Sequence, residues 1–353
     1  LLVDVILIFI SLTISSQTTQ QLDEVVVSDS KINIPFSKNF RSIQVVDSKI
    51  IQEIAARNVI ELLQLVTGLD IRRRGVSGTQ ADLYIRGGGF DQTLLLIDGM
   101  KMDDIQTGHH TLNLLLPVQL IERLEIIKGP AARIFGQNAF NGAINIVTKS
   151  LKKSKNKVVE VFANDISSGS YDQFNYSVNF RASIEDKFNS LIAFHRAKSD
   201  GYRYNTDFKN DFIFMKTNIK SKNGSIDISS GFSEKKFGAN GFYASPDAID
   251  QYEETQSSFF GLSTKFEKEK LVIKPKLYWR RNQDEYIYVR DNPDIYRNLH
   301  ISNKIYFDLN FIKYYDSGSF SNFGIDNSQS YISSNNLGDH ERFTSSLCVD
   351  LNI

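Results

Sequence analysis

Ile121 to Lys149, IERLEIIKGPAARIFGQNAFNGAINIVTK, is the stretch whose reading decides the fold. Ile121, Leu124, Ile126 and Ile127, interleaved with Glu122, Arg123 and Glu125, predict a short strand, and Gly129-Pro130 predicts the turn that ends it. Ala131 to Phe135 then reads as a brief helical turn closed by Gly136, since glycine takes the left-handed conformation at a helix end without strain. Ala143-Ile144-Asn145-Ile146-Val147-Thr148 is β-branched enough to predict a second strand.

Upstream, the pattern stays that of a compact domain. Val45-Val46 reads as a strand, and Asp47 or Ser48 can cap a helix whose apolar stripe is Ile50, Ile51, Ile54 and Ala55. Asn58, with Glu61 three residues on, opens a second helix; Leu62, Leu63 and Val66 are its buried face and Gly68 its stop. Strands are predicted at Leu69 to Arg73, Asp82 to Arg86 and Thr93 to Ile97, the last running into the hairpin signal Asp98-Gly99. Taken together, Arg86-Gly87-Gly88, Leu96-Ile97-Asp98-Gly99, Lys128-Gly129-Pro130, Phe135-Gly136 and Ile144-Asn145-Ile146 resemble the plug domain of TonB-dependent outer-membrane receptors over residues 42–149. The plug positions carried over are Arg86, Gly87, Gly88, Asp98, Gly99, Lys128, Gly129, Pro130, Gly136 and Asn145. The pattern departs at Asn141, where a second glycine often stands before Gly142; asparagine tolerates positive φ better than most residues, so it is expected to fill that role.

Composition narrows the class further. The 353 residues carry 41 basic and 41 acidic side chains, so there is no basic footprint and no nucleic acid is expected as a partner. The lone Cys348 excludes an internal disulfide and offers no metal cluster. Leu1 to Ile14 is an apolar run followed by small hydroxyl residues and resembles the end of a secretory signal, giving a signal remnant at 1–16. The chain opens on Leu and closes inside an alternating pattern, so it is read as an N-terminal fragment. Residues 17–41 are a polar linker around Asp23-Glu24-Val25-Val26-Val27. By itself that cluster reads as an ordinary edge strand; the resemblance implies that it is the TonB box, able to add to the edge of a partner's sheet through main-chain hydrogen bonds.

Beyond Lys149 a basic hinge, Lys152 to Lys157, leads into period-two alternation over residues 150–353. Phe174, Tyr176, Val178 and Phe180 alternate with polar residues, as do Leu271, Ile273, Pro275, Leu277 and Trp279, and again Ile301, Ile305, Phe307, Leu309 and Phe311. A β-sandwich would show the same alternation. The links favour a barrel, because tight turns at Ile184 to Lys187, Ser221 to Gly224, Glu267 to Lys270 and Tyr315 to Gly318 alternate with long polar links. Those longer links are Ser199 to Asn210, Lys235 to Glu254, Gln283 to Arg297 and Ser333 to His340. About ten strands are expected, fewer than half of the roughly 22 in a plugged outer-membrane transporter. The fold class is thus an α+β plug domain followed by an antiparallel transmembrane β-barrel, with the barrel incomplete.

The resemblance implies a receptor in the Gram-negative outer membrane, in contact with its lipid, that imports a scarce, bulky ligand with energy delivered by TonB. No enzyme is expected. Phe237 to Tyr243 and the loop economy are similar to cobalamin-receptor-like members; a siderophore or haem receptor is the alternative, and a β-rich surface adhesin is the reading from another class. The ligand mouth is expected at His109, His110, Phe242 and Tyr243, with His109-His110 itself a solvated loop whose side chains point apart. No cofactor is expected other than calcium, which the resemblance places on the loop aspartates Asp200, Asp207, Asp211, Asp247 and Asp250. Arg72-Arg73-Arg74 is expected to reach acidic groups of the enclosing wall, and Gly87 to Gly89 lacks the spacing of a nucleotide loop.

Overall fold

The computed structural model describes Val26–Val27, Ile34–Pro35 and residues 43–352, apart from residues 55, 76–78, 114–115, 150–156, 186, 244 and 317–318. The signal remnant, Asp23, Glu24 and Val25 of the box, and most of the basic hinge lie outside the described residues. The two described box residues form β1 (Val26–Val27), which pairs antiparallel with β2 (Ile34–Pro35), Val26 opposite Pro35 and Val27 opposite Ile34.

The plug begins with β3 (Ile43–Asp47), α1 (Ser48–Glu53) and α2 (Val59–Gln64). Both helices start as their sequences require. Asp47 accepts from the Ile50 N–H at 2.9 Å, and Asn58 accepts from the Glu61 N–H at 2.9 Å. Glu61 reaches back to the N–H of Arg57, one residue earlier than a capping box would have it. The α1 stripe is narrower than expected, because Ile51 is buried while Ile50 stays exposed. Leu62 and Leu63 of α2 are fully buried, each contributing about 1.5–3 kcal/mol of burial energy.

The hairpin of β4 (Leu69–Arg73) and β5 (Ala81–Ile85) follows, then β6 (Thr93–Ile97), β7 (Met100–Lys101), β8 (Ile121–Lys128), α3 (Ala132–Phe135) and β9 (Gly142–Thr148). The main plug sheet runs β3-β8-β9-β6-β7, antiparallel except where β6 lies parallel to β9. Asp98 and Gly99 take φ of 49° and 75° in the β6–β7 turn, the left-handed pair that this hairpin signal announces.

The wall is one ten-stranded sheet in which each strand pairs with the next. Its members are β10 (Val158–Gly169), β11 (Gln173–Ile184), β12 (Phe188–Ser199), β13 (Phe208–Ser221) and β14 (Gly224–Gly238). They continue as β15 (Tyr252–Lys268), β16 (Leu271–Ile287), β17 (Arg297–Tyr314), β18 (Phe320–Ser334) and β19 (His340–Asn352). At 12 to 18 residues these strands exceed the ~9–11 needed to cross hydrocarbon. The surplus lies toward the long links, so Lys235, Glu253, Glu254 and Gln283 to Ile287, expected in loops, stand on strands.

Alternation on the wall is inverted relative to a soluble protein. On β17, Ser302, Lys304, Tyr306, Asp308 and Asn310 are buried while Ile305, Phe307 and Phe311 are exposed. The polar face is buried because the plug stands against it. Leu62, Leu63, Leu124 and Ile144 of the plug share one apolar cluster with the inward Phe212, Phe214, Phe259, Tyr278 and Tyr306 of the wall. No helix among the described residues is long and apolar enough to cross a membrane.

Candidate functional site

Three family-pattern residues of the plug, Asp98, Gly99 and Asn145, meet where it contacts the wall. Asn145, central in β9, donates to Glu125 Oε2 at 2.9 Å and accepts the Gly99 N–H at 2.9 Å, so it ties the hairpin turn to β8. Asp98 accepts from the Thr148 N–H at 2.9 Å and the Thr148 hydroxyl at 2.6 Å. The wall then takes hold: Lys216 reaches Asp98 Oδ2 at 3.0 Å and Thr148 Oγ1 at 2.6 Å, and Lys276 donates to the Gly99 carbonyl at 3.1 Å. Lys128 lashes the end of β8 to Gln44 and to the Thr67 carbonyl, and Gly136 ends α3 at φ 75°.

Arg86 and Gly87 turn the chain at φ 51° and 76°. The next residue explains Asn141. Its φ is not positive, contrary to the expectation, and Asn138 is the nearby residue in that region, at 67°. Asn141 works through its side chain, which donates to Gln92 Oε1 at 2.7 Å and occupies the space over Gly88; a Cβ built on Gly88 would sit 1.3 Å from the Asn141 amide nitrogen.

Midway up the interface the plug segment 101–113 meets buried charges of the wall. Lys304 pairs with Asp103 at 2.6 Å, and Ser302 donates to Asp104 at 3.1 Å. Arg280 donates to the carbonyls of Met102, Asp103 and His110. Burial alone would raise the Asp103 carboxyl, but Lys304 outweighs it and holds the group below the usual aspartate range. Lys235 donates to the Thr79 carbonyl at 3.0 Å and to Asn113 Oδ1 at 3.4 Å, and Ser233 to the Asn113 carbonyl at 3.2 Å.

At the long-loop end the adjacent histidines part, as expected, but only one is solvated. His109 stacks on Phe90 with centroids 3.9 Å apart and bonds Asp82 at 2.6 Å. His110 is 4 % exposed, a correction to the solvated loop: its Nε2 lies 3.3 Å from Asp284 of the wall, and Asn113 contacts its Nδ1 at 2.9 Å. Burial lowers the imidazole, but the Asp284 carboxylate more than reverses this and His110 is raised to about 9. Arg72, Arg73 and Arg74 are corrected too. Their ion pairs go to Asp70, Glu61 and Asp82 of the plug itself, not to the wall.

The loops above interlock. Arg290 forks onto Asp207 at 2.7 and 3.0 Å, Tyr204 donates to Asp250 at 2.6 Å, and Asn205 donates to the carbonyls of Ile249 and Gln251. Phe242 leans on the plug, where a Cβ on Gly75 would strike its ring; Tyr243 packs edge-on against Tyr286 at 5.9 Å, with its hydroxyl sealed from solvent. Burial and the Glu253 carboxylate push that hydroxyl well above the usual phenol range. Asp211 does not belong to this mouth. It pairs with Arg196 on the face of β13 opposite the inward Phe212 and Phe214. The five aspartates are not gathered into a group of metal-ligand atoms among the described residues.

Sequence reading missed the exposed Tyr202, Tyr204, Tyr288 and Tyr296, which stand on two of the long links. Their signal was available: tyrosines set in otherwise polar long links, where no apolar core calls for them.

A plug seated against a wall that is polar within and apolar without is an arrangement similar to that of TonB-dependent receptors. In particular, residues 36–143 match the family described as TonB-dependent Receptor Plug Domain. The chain is 32 % identical over 151 residues to the vitamin B12 transporter BtuB of Vibrio vulnificus strain CMCP6, covering 42 % of this chain and 24 % of that protein. It is 27 % identical over 183 residues to the vitamin B12 transporter BtuB of Vibrio cholerae O1 El Tor Inaba, covering 52 % and 29 %. Among solved structures, the siderophore receptor PirA from Pseudomonas aeruginosa superposes with a TM-score of 0.64 at 14 % identity, over 88 % of this chain and 53 % of that one. The pyoverdine receptor FpvA from the same organism gives 0.70 at 11 %, over 88 % and 49 %. The chain thus spans about a quarter to a third of the curated relatives it matches and about half of the solved ones.

Proposed function

We propose that this chain belongs to an outer-membrane importer that takes a cobalamin-type ligand at the long-loop mouth and passes it inward when TonB engages the segment Asp23 to Val27. The observation that carries the ligand class is sequence similarity to vitamin B12 transporters over 151 to 191 residues of the chain. The mouth suits a large ligand with flat, partly apolar faces: Tyr202, Tyr204, Tyr288 and Tyr296 of the long links are exposed, and Phe90 and His109 of the plug are stacked. An iron chelate is the alternative that the same rim could accept. Binding labelled cyanocobalamin to cells carrying the complete receptor tests the choice, with ferric siderophores as competitors. Cyanocobalamin displaced by a ferric siderophore, or not bound at all, would overturn the cobalamin reading.

The coupling step rests on main-chain pairing. Val26 already lies in a strand, opposite Pro35. Val26→Pro removes one N–H donor and should abolish uptake while surface binding stays intact; Val26→Ile keeps both. Uptake by the proline variant at the wild-type rate would show that coupling uses another segment.

A further inference from the structure

Beneath the interlocked loops, His110 of the plug, Glu253 of β15 and Asp284 of β16 each offer a ligand atom, and the three atoms lie within 4.8 Å of one another. All three residues are buried, at 4 %, 4 % and 6 % exposure. Glu253 Oε1 and Asp284 Oδ1 are sealed from solvent and make no hydrogen bond of good geometry, with the equally sealed Tyr243 hydroxyl as the neighbour of Glu253. Carboxylate oxygens in that condition are costly, and folded proteins normally meet them with a donor or a cation. His110 itself faces Asp284 at 3.3 Å, and the neighbouring lysine and arginine are directed elsewhere. Lys235 donates to Thr79 and Asn113, and Arg280 to three plug carbonyls.

We propose that His110, Glu253 and Asp284 hold one divalent cation of the zinc class, which staples the plug to two adjacent wall strands. One imidazole and two carboxylates are a donor set that suits zinc, which needs only four ligands, and leave one position for water. Calcium is disfavoured, because it takes six to eight oxygens and the group offers two carboxylates and a nitrogen. The surroundings supply what such a ligand set needs. Gln106 donates to Asp284 Oδ2 at 3.1 Å, which orients that carboxylate, and the Asn113 amide sits on His110 Nδ1 at 2.9 Å. With Nε2 on the metal, Nδ1 carries the proton, so Asn113 turns its amide to accept it; the contact given up is the longer of the two made by Lys235. His300 stands directly across from Asp284 on β17, buried, with its Nδ1 also unpartnered.

The inference is independent of which ligand is imported. Its test is calorimetric titration of zinc chloride into the complete receptor, purified in detergent and stripped with a chelator. One equivalent should bind, and His110→Ala and Glu253→Gln should each weaken it at least about tenfold, with calcium unable to compete. No zinc binding by the wild type, or binding that both variants leave unchanged, overturns the proposal. A zinc-edge anomalous difference map of wild-type crystals needs no variant: a peak between the three side chains supports the site, and a map without one there overturns it.

Discussion

The plug and the wall are built from the same residue types with opposite rules. In the plug, apolar side chains turn inward on both faces of a small sheet and its helices, as in any water-soluble domain: Leu62, Leu63, Leu124, Ile126 and Ile144 are fully buried. In the wall, Lys235, Arg280, Lys304 and Asp308 are buried alongside the inward aromatics, and Ile305, Phe307 and Phe311 are exposed. The difference teaches where each gets its stability. The plug could in principle hold itself together; the charged groups on the wall's inner face, Lys216, Lys276, Arg280 and Lys304, find partners on the plug, in carbonyls and carboxylates of residues 98–113.

The sharpest way to break this comparison is to remove one wall charge. Lys304→Met removes the ion-pair partner of the buried Asp103 carboxylate, and plug seating should weaken by up to about 3–5 kcal/mol, less what Lys101 and Arg280 offset. Protease protection of the plug in the complete receptor reads this, and unchanged protection would show that the wall's charges are incidental. The same pair sets a pH limit. Because the folded Asp103 carboxyl is held below its ordinary value, its contribution is fully present above that ordinary range and is lost as pH falls through the lowered one. Release should therefore appear in strong acid and not between pH 5 and 8.

Leu62→Ala attacks the plug by its own rule and should cost about 2–5 kcal/mol in plug unfolding by denaturant, while leaving the wall's heat resistance in detergent intact. Phe307→Arg attacks the wall's outer face and should cost about 2–4 kcal/mol of membrane insertion near the bilayer centre, with plug stability unmoved. If either substitution lowers both stabilities equally, the two regions fold as one unit and the comparison fails.

The smallest expected effect is local. Gly88→Ala drives a methyl into the Asn141 amide and should cost about 1–3 kcal/mol; adding Asn141→Gly, which empties that space, should recover most of it. Failure of the second change to rescue the first would mean that Gly88 is needed for some other reason.

Much of this was legible in the sequence for physical reasons that differ by region. Caps and turns are local, so Asp47, Asn58, Asp98-Gly99 and Gly136 could be placed from their neighbours alone. Period-two alternation located the wall strands, but not where they stop, because strand length past the membrane depends on pairing with neighbours; Lys235, Glu253 and Asp284 were therefore read as loop residues or left aside. What His110, Arg74 and Asn141 do could not be read either. His110 finds its partner far along the chain, Arg74 across a hairpin and Asn141 in a gap left by a glycine, and periodicity carries no information about such meetings.

The order β3-β8-β9-β6-β7 has a mechanical consequence. β3 is an edge strand, antiparallel to β8 over five residue pairs from Ile43 opposite Ile127 to Asp47 opposite Arg123, and it is the first plug strand after the segment that carries Val26. A load applied upstream of Ile43 therefore enters the plug at its rim and not at its centre. Drawn across the strand direction, it would open the ladder one bond after another, starting at Ile43, where each step resists separately. Drawn along the strand, the same five pairs would resist together. The angle at which tension arrives thus decides whether the plug unravels strand by strand or shifts as a block.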